Sequence, residues 1–298
     1  MTAAARLAPG PRTTAAPHRT PDRPLTGELH LGVERRGARS VAVERFHTGA
    51  LRVLRAHYPD ASGQPLFTVV NPGGGYLGGD AYSTAVEVRE GASVQLTTQA
   101  ATKVYRTPQG PARADQRFAL GPGARLESLP DPVIAYRGAR YRQDTRADLA
   151  PDASLALAEV VTPGWAPDGQ AFSFEEVSLV ARVRVGGRLA VVDNLLLRPA
   201  EGGTAPLMLA GRSHVGSLLV VDPHAHDAAV VALRVHLADL FPHCLGGPLV
   251  GITRLAVPGF ALRVLADSTG AAEAVVRAAV DWTRDAWHGL APVALRKY

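Results

Sequence analysis

The chain has 298 residues, 46% of them hydrophobic and 20% charged, with a formal net charge of +5. That length and apolar share suffice for one large core or two small ones and exclude a chain that stays unfolded throughout. No apolar run reaches the ~20 residues of a membrane helix, and the lone cysteine, Cys244, excludes an intrachain disulfide and a cysteine-based zinc site.

Met1 to Pro24 carries Ala, Thr, Arg and Pro but no apolar h-region, so it reads as a disordered tail ahead of one β-rich domain over residues 25–298. Leu29, Leu31 and Val33 alternate, as do Val41 and Val43, predicting strands parted by Arg36-Gly37-Ala38. Leu51 to Tyr58 is a further predicted strand, stopped by Pro59-Asp60, and Leu66 to Val70 leads into a glycine-rich stretch. A short pattern then recurs. Arg89-Glu90-Gly91-Ala92-Ser93-Val94 is echoed by Gly121-Pro122-Gly123-Ala124-Arg125-Leu126 and by Ala150-Pro151-Asp152-Ala153-Ser154-Leu155, with a looser copy at Val185 to Val191. A period of about 30 with strand, tight turn and strand in each copy predicts stacked β-coils or a layered sheet. Phe172 to Val185 and Arg188 to Leu197 form a predicted hairpin around Gly186-Gly187, and Trp165 lies in a long connection.

Helices come late. His226 to Phe241 has Val230, Leu233, Leu237 and Leu240 at helical spacing. A second helix is capped by Asp267-Ser268-Thr269, carries Val275, Ala279, Trp282 and Ala286 on its apolar face, and ends at Gly289. The chain is therefore mainly β, with two α-helices in its C-terminal part.

The chemistry is sparse. Asn71 to Asp80 holds five glycines in ten positions, yet Asp80 and the strand-like Thr84 to Val88 replace the Lys-Ser/Thr and helix of a phosphate loop. A tight glycine turn between strands fits better. No Gly-x-Ser-x-Gly elbow presents a serine, and Gly211-Arg212-Ser213-His214 is only superficially similar. Glu175 and Glu176, adjacent in a strand, point to opposite faces. His224 and His226 could aim two imidazoles to one side as metal ligands, but a polar loop with His226 near a helix N-cap is the plainer reading. Arg137, Arg140 and Arg142 are the best nucleic-acid candidates and read more simply as a solvated face. Asp80, Glu159 and Asp193 lie in or beside apolar strands, where a carboxylate is costly unless paired, hydrated or lining a cavity. They read either as ordinary turn or ion-paired residues or as an acidic wall along an internal path for a divalent cation.

The run Asn71-Pro72-Gly73-Gly74-Gly75, then Gly78-Gly79-Asp80, then Thr97-Thr98-Gln99-Ala100-Ala101-Thr102-Lys103-Val104-Tyr105-Arg106 resembles the signature of the urease accessory protein D family, called H in some organisms. The similarity extends from about Gly27 to Tyr298. It includes the Arg/Tyr-rich Val133 to Leu149, the segment around Glu159, and Gly259 to Ala266. The chain departs from the family at its end, Leu295-Arg296-Lys297-Tyr298, and at Gly169-Gln170, where the family more often has a glutamate.

The resemblance implies a β-strand superhelix with two helices and a non-enzymatic maturation factor; the lone cysteine and the lack of secretory and membrane segments favour the cytoplasm. Its implied partners are the urease apoprotein, the helical accessory protein F and, through it, the GTPase protein G, with no nucleic-acid or membrane partner. It implies no tightly held cofactor, nickel as a transient cargo, and an interior passage lined by carboxylates. Asp80 and Glu159 are the candidate nickel-path residues. Oxygen ligands hold nickel weakly, which suits a conduit better than a store. The alternative is a β-superhelical enzyme acting on a polar substrate, with Asp80 and Glu159 as its paired acid and base. An arginine-based nucleic-acid module, with salt-sensitive binding, is a third reading.

Overall fold

A computed structural model describes residues 24–201, 209–243, 246–293 and 295. The expected tail, apart from Pro24, and Cys244 lie outside the described residues.

The chain folds as a β-solenoid of about four turns with two helices in its C-terminal part. Each full turn gives one long strand to each of two facing sheets, and the short parallel strands β7 (Thr102–Val104) and β10 (Val133–Ala135) join successive turns beside the second. β5 (Ala81–Val88), β8 (Ala112–Leu120) and β11 (Arg140–Leu149) lie parallel in the first sheet. β6 (Ser93–Thr98), β9 (Arg125–Ser128) and β12 (Ser154–Val161) lie parallel in the second. The repeated sequence forms the corners between them. Ala92, Ala124 and Ala153 stack there, all at most 1% exposed. Their backbones continue the ladder: the Arg125 amide donates to the Ala92 carbonyl at 2.9 Å and the Ser154 amide to that of Ala124 at 2.8 Å. Only a small side chain fits inside such a corner. Ala124→Leu is expected to lower stability by roughly 1–3 kcal/mol through overpacking, with urea unfolding as the check; an unchanged midpoint would mean that the corner has slack.

Antiparallel hairpins bracket the coils. β1 (Gly27–Arg36) runs parallel to β5 and turns back into β2 (Arg39–Gly49) at one edge of the first sheet. β13 (Glu176–Val185) runs parallel to β11 and turns back into β14 (Arg188–Leu197) at the other. The looser repeat copy is therefore a hairpin and not a coil corner. Gly186 and Gly187 have φ of 56° and 79°, the primed turn that reverses a twisted strand within its own sheet. The predicted strand Leu51 to Tyr58 shrinks to β3 (Arg52–Val53), beside β4 (Leu66–Val70). Beyond it the pairing thins to single contacts: the Leu54 amide donates to the Thr68 carbonyl at 2.9 Å, and His57 and Leu66 exchange backbone bonds.

The glycine stretch is a loop that lies against the Thr102–Gln109 segment. A Cβ on Gly75 would sit 2.8 Å from the Lys103 carbonyl oxygen and 2.5 Å from the Tyr105 ring, so the signature glycines allow close backbone approach.

β15 (His214–Val221), β17 (Gly259–Ala266) and β16 (Leu249–Arg254) extend the second sheet antiparallel from β12. Both helices cover its outer face. α1 (Asp227–Leu240) buries Val230, Leu233 and Leu237, but Leu240 is exposed, contrary to the helical-face expectation. α2 (Thr269–His288) is capped by Ser268, whose side chain accepts from the Ala271 amide, and ends at Gly289 in the left-handed conformation. Its buried face is Ala272, Val275, Val276, Ala279, Val280, Thr283 and Arg284, while Ala286 faces solvent. Val275 and Ala279 face the core as expected and Trp282 packs partly buried against it, so only Ala286 departs from the expected face, while a charged residue takes a core position beside them. Arg284, 1% exposed, donates to Glu127 Oε2 at 2.5 Å and to Gln64 Oε1 at 2.9 Å, and it also lies 3.7 Å from Asp60.

Candidate functional site

Period-2 alternation makes β11 face inward with Tyr141, Gln143, Thr145, Ala147 and Leu149 and outward with Arg140, Arg142, Asp144, Arg146 and Asp148. Three of those inward side chains are polar or half-polar. They belong to a seam that crosses the coil between two apolar clusters. One cluster contains Val86, Phe118, Ala147, Leu155 and Leu157. The other contains Val104, Ala112, Ala135, Tyr141 and Val161. In register across the first sheet, Thr84, Gln116 and Thr145 lie side by side. From the second sheet, Glu159 enters the seam between Leu157 and Val161.

Glu159 accepts from Gln143 Nε2 at 2.5 Å, and Gln143 in turn accepts from the Tyr141 hydroxyl at 2.9 Å. Burial pushes the Glu159 carboxyl up to about 7, the Gln143 bond acts against this, and the charge of Asp193 adds to it. The group is therefore poised between its two protonation states at neutral pH. Asp193 on β14 is ion-paired to Arg263 of β17, which ties the two sheets together beside the seam.

Asp80 sits differently. Its carboxylate accepts from the Leu77 amide at 2.7 Å, Thr26 Oγ1 at 3.1 Å and the Tyr82 hydroxyl at 3.1 Å. It thereby closes the end of the glycine loop. Burial first, and then the Asp80 charge, raise the Tyr82 phenol above its ordinary range. Tyr82 stacks on Tyr76 with centroids 3.9 Å apart, and Tyr76 meets Tyr141 edge-on at 5.9 Å. A line of polar and aromatic groups thus runs from Asp80 through Tyr82, Tyr76, Tyr141 and Gln143 to Glu159. Four side chains, Tyr82, Tyr76, Tyr141 and Gln143, link the two carboxylates.

Small cavities follow the seam. One of about 130 Å³ is bounded by Asn71, Gly75, Tyr76 and Lys103. The next, about 70 Å³, shares Tyr76 with it and reaches Gln116, Gln143 and Glu159. A third, about 30 Å³, continues from Glu159 to Asp193 and Ser217. Each has room for one or a few waters between polar partners. Glu159 also borders a cavity of about 450 Å³ beneath α2, lined by Leu129, Asp131, Glu273 and Arg277.

The other residues singled out in the sequence are dispersed. Arg137, Arg140 and Arg142 pair with Asp168, Glu175 and Glu176, so the arginine cluster is met by carboxylates. Glu175 and Glu176 diverge: Glu176 is buried between Arg142 and Arg198, which hold its carboxyl below the usual range. Ser213 contacts His214 at 2.8 Å, but Ser213 precedes a strand and not a helix, and Asp267 is ion-paired to Arg212. His226 caps α1, accepting from the Ala229 amide, while His224 turns away to Asp222. Sequence reading missed Gln116, Tyr141, Gln143 and Thr145. The signal was present: within Arg140 to Leu149 the inward parity carries Gln and Thr where a plain core would carry Val and Leu.

These features define a β-solenoid protein with a polar seam running inside its coil. The family model described as UreD urease accessory protein matches residues 25–297. The urease accessory protein UreD of Actinomyces naeslundii is 50% identical over 274 residues, spanning 92% of this chain and 99% of the relative. That of Paenarthrobacter aurescens is 45% identical over 279 residues, spanning 92% and 96%. That of Kocuria rhizophila is 44% identical over 330 aligned residues, spanning 91% and 89%. The chain belongs to the UreD family of urease accessory proteins.

Proposed function

We propose that this chain acts in urease maturation as a non-enzymatic scaffold, linking the urease apoprotein to the accessory F–G assembly while nickel is delivered to the urease active site. The observation that carries the reading is the carboxylate-bearing seam. A carboxylate drawn out of water without a cationic partner costs stability, and Glu159, part-buried inside the coil, has an amide and not a guanidinium beside it. A divalent cation passing through supplies the missing positive charge.

In this reading nickel is cargo, held in turn by weak oxygen ligands at Glu159 and, nearer the glycine loop, at Asp80, with no resident cofactor. Among the described residues no helix is long and apolar enough to cross a membrane, and the proposed setting is the cytoplasm, where apo-urease would be met. The test is co-expression of the urease subunits and the other accessory proteins with and without this chain. Urease nickel content and activity are expected to collapse without it. Equal values in the two cultures would end the proposal.

A further inference from the structure

A second group of metal-ligating side chains lies well away from the seam. Asp222 follows β15 directly, five residues beyond Ser217, the β15 partner of Glu159. Five strand residues span about 17 Å. Here three separate pieces of the chain meet: the end of β15, the turn before α1, and the last turn of α2. Asp222 Oδ1 lies 2.8 Å from His224 Nδ1, and Asp222 Oδ2 lies 2.8 Å from His288 Nε2. One ligand atom from each residue falls within 4.8 Å of the other two.

We propose that Asp222, His224 and His288 form a site for one borderline divalent cation of the zinc–nickel class. The inference stands independently of the nickel-path reading of Glu159. Two imidazole nitrogens and one carboxylate oxygen are a donor set suited to such ions. A tetrahedral ion with bonds near 2.1 Å holds its ligand atoms about 3.4 Å apart, so the two Asp–His contacts at 2.8 Å open by about 0.6 Å to admit it, within a group that already lies inside 4.8 Å.

The parts are suitably fixed and free. Asp222 is held on the backbone: its amide donates to the Pro258 carbonyl at 3.1 Å, and its carbonyl accepts from Ala225 at 3.0 Å. His288 is anchored by α2. The His224 side chain is 56% exposed, free to swing, and leaves the outer coordination position open to water. Charge points the same way. The two buried guanidiniums nearby, Arg125 and Arg284, both engage Glu127, and Arg284 also faces Asp60. Asp222 has no guanidinium in direct contact among the described residues; Arg125 feels its charge from a distance but is ion-paired to Glu127. A bound cation supplies that direct contact and staples the C-terminus of α2 to the sheet.

The competing account is a plain hydrogen-bonded clamp of two imidazoles on one carboxylate, and it uses the same atoms. Metal binding separates them. The purified full chain, stripped with chelator, is dialysed against Zn²⁺ beside His224→Asn and Glu159→Gln. The substitution at the exposed His224 leaves the fold intact, with circular dichroism as the check. Wild type and Glu159→Gln are expected to retain one more equivalent of Zn²⁺ than His224→Asn. Zn²⁺ is expected to raise the Tm of those two proteins only. With Co²⁺, wild type is expected to give a ligand-field spectrum that His224→Asn lacks. Equal zinc stoichiometry in wild type and His224→Asn would overturn the site without bearing on Glu159.

Discussion

Replacing Arg284 with alanine is expected to lower the unfolding free energy by about 3–5 kcal/mol, because it takes one of two guanidiniums from the buried Glu127 and leaves a cavity where the side chain packed. For a chain of this size that is a fall in Tm of roughly 10 °C. The cause is local and legible. Glu127 is 2% exposed and receives Arg284, Arg125 and the Gln95 amide. Arg284 also donates to the Ala291 carbonyl at 2.7 Å, which holds the segment after α2. The triple change Arg284→Met and Arg125→Met with Glu127→Gln removes all three charges, so that no buried guanidinium is left without its carboxylate, and nearly keeps volume. It is expected to be less harmful than Arg284→Ala alone. Calorimetry of the three proteins decides the matter. A loss of less than about 1 kcal/mol for Arg284→Ala would mean that water replaces the guanidinium and that the network is not what docks α2.

The second large effect concerns Glu159 and has opposite signs for stability and function. A carboxyl whose folded-state value lies near 7, against about 4.3 in an unfolded chain, binds its proton more tightly when folded. The stability this proton gives is fully present below about pH 4 and is lost as pH rises through 7. At pH 8, ionised Glu159 should therefore cost about 3 kcal/mol relative to its neutral form. Glu159→Gln imitates the neutral form and keeps an acceptor for Gln143. The variant is expected to match wild type near pH 4 and to exceed it by roughly 2–3 kcal/mol at pH 8. In the co-expression assay the same variant is expected to reduce urease activation. A stability gap that stays flat from pH 4 to 8 would show that the carboxylate is not strained by burial. A group kept at the expense of stability belongs to function more often than to folding.

Much of the architecture could be read from the residues, and the reasons for success and failure are physical. Ala92, Ala124 and Ala153 were visible as a repeat because a coil corner admits only a small inward side chain flanked by turn formers. Ser268 and Gly289 were visible as caps because helix ends need a side-chain acceptor at one end and a left-handed residue at the other. Arg284 was not visible. Its burial depends on Glu127, Gln64 and Asp60, brought from distant turns of the coil, and no helical spacing encodes partners so far along the chain. The family signature located Asp80, and an apolar strand context located Glu159. The seam joining them is a property of strand register: Thr84, Gln116 and Thr145 become neighbours only when the coils stack. The Asp222–His224–His288 group escaped for the same reason. His224 was noted beside His226, its neighbour in sequence, whereas its partners in space come from β15 and from the end of α2.

The stacked alanine corners limit how this molecule can change in length. Adding one residue within Arg89–Ser93 would shift every following side chain of that strand to the opposite face and pull the corner out of line with its neighbours. Growth or loss is then tolerable either as an entire winding of about 30 residues or in the connections at the far rim, such as 163–175. Evolution should therefore find this protein digital along one margin and continuous along the other.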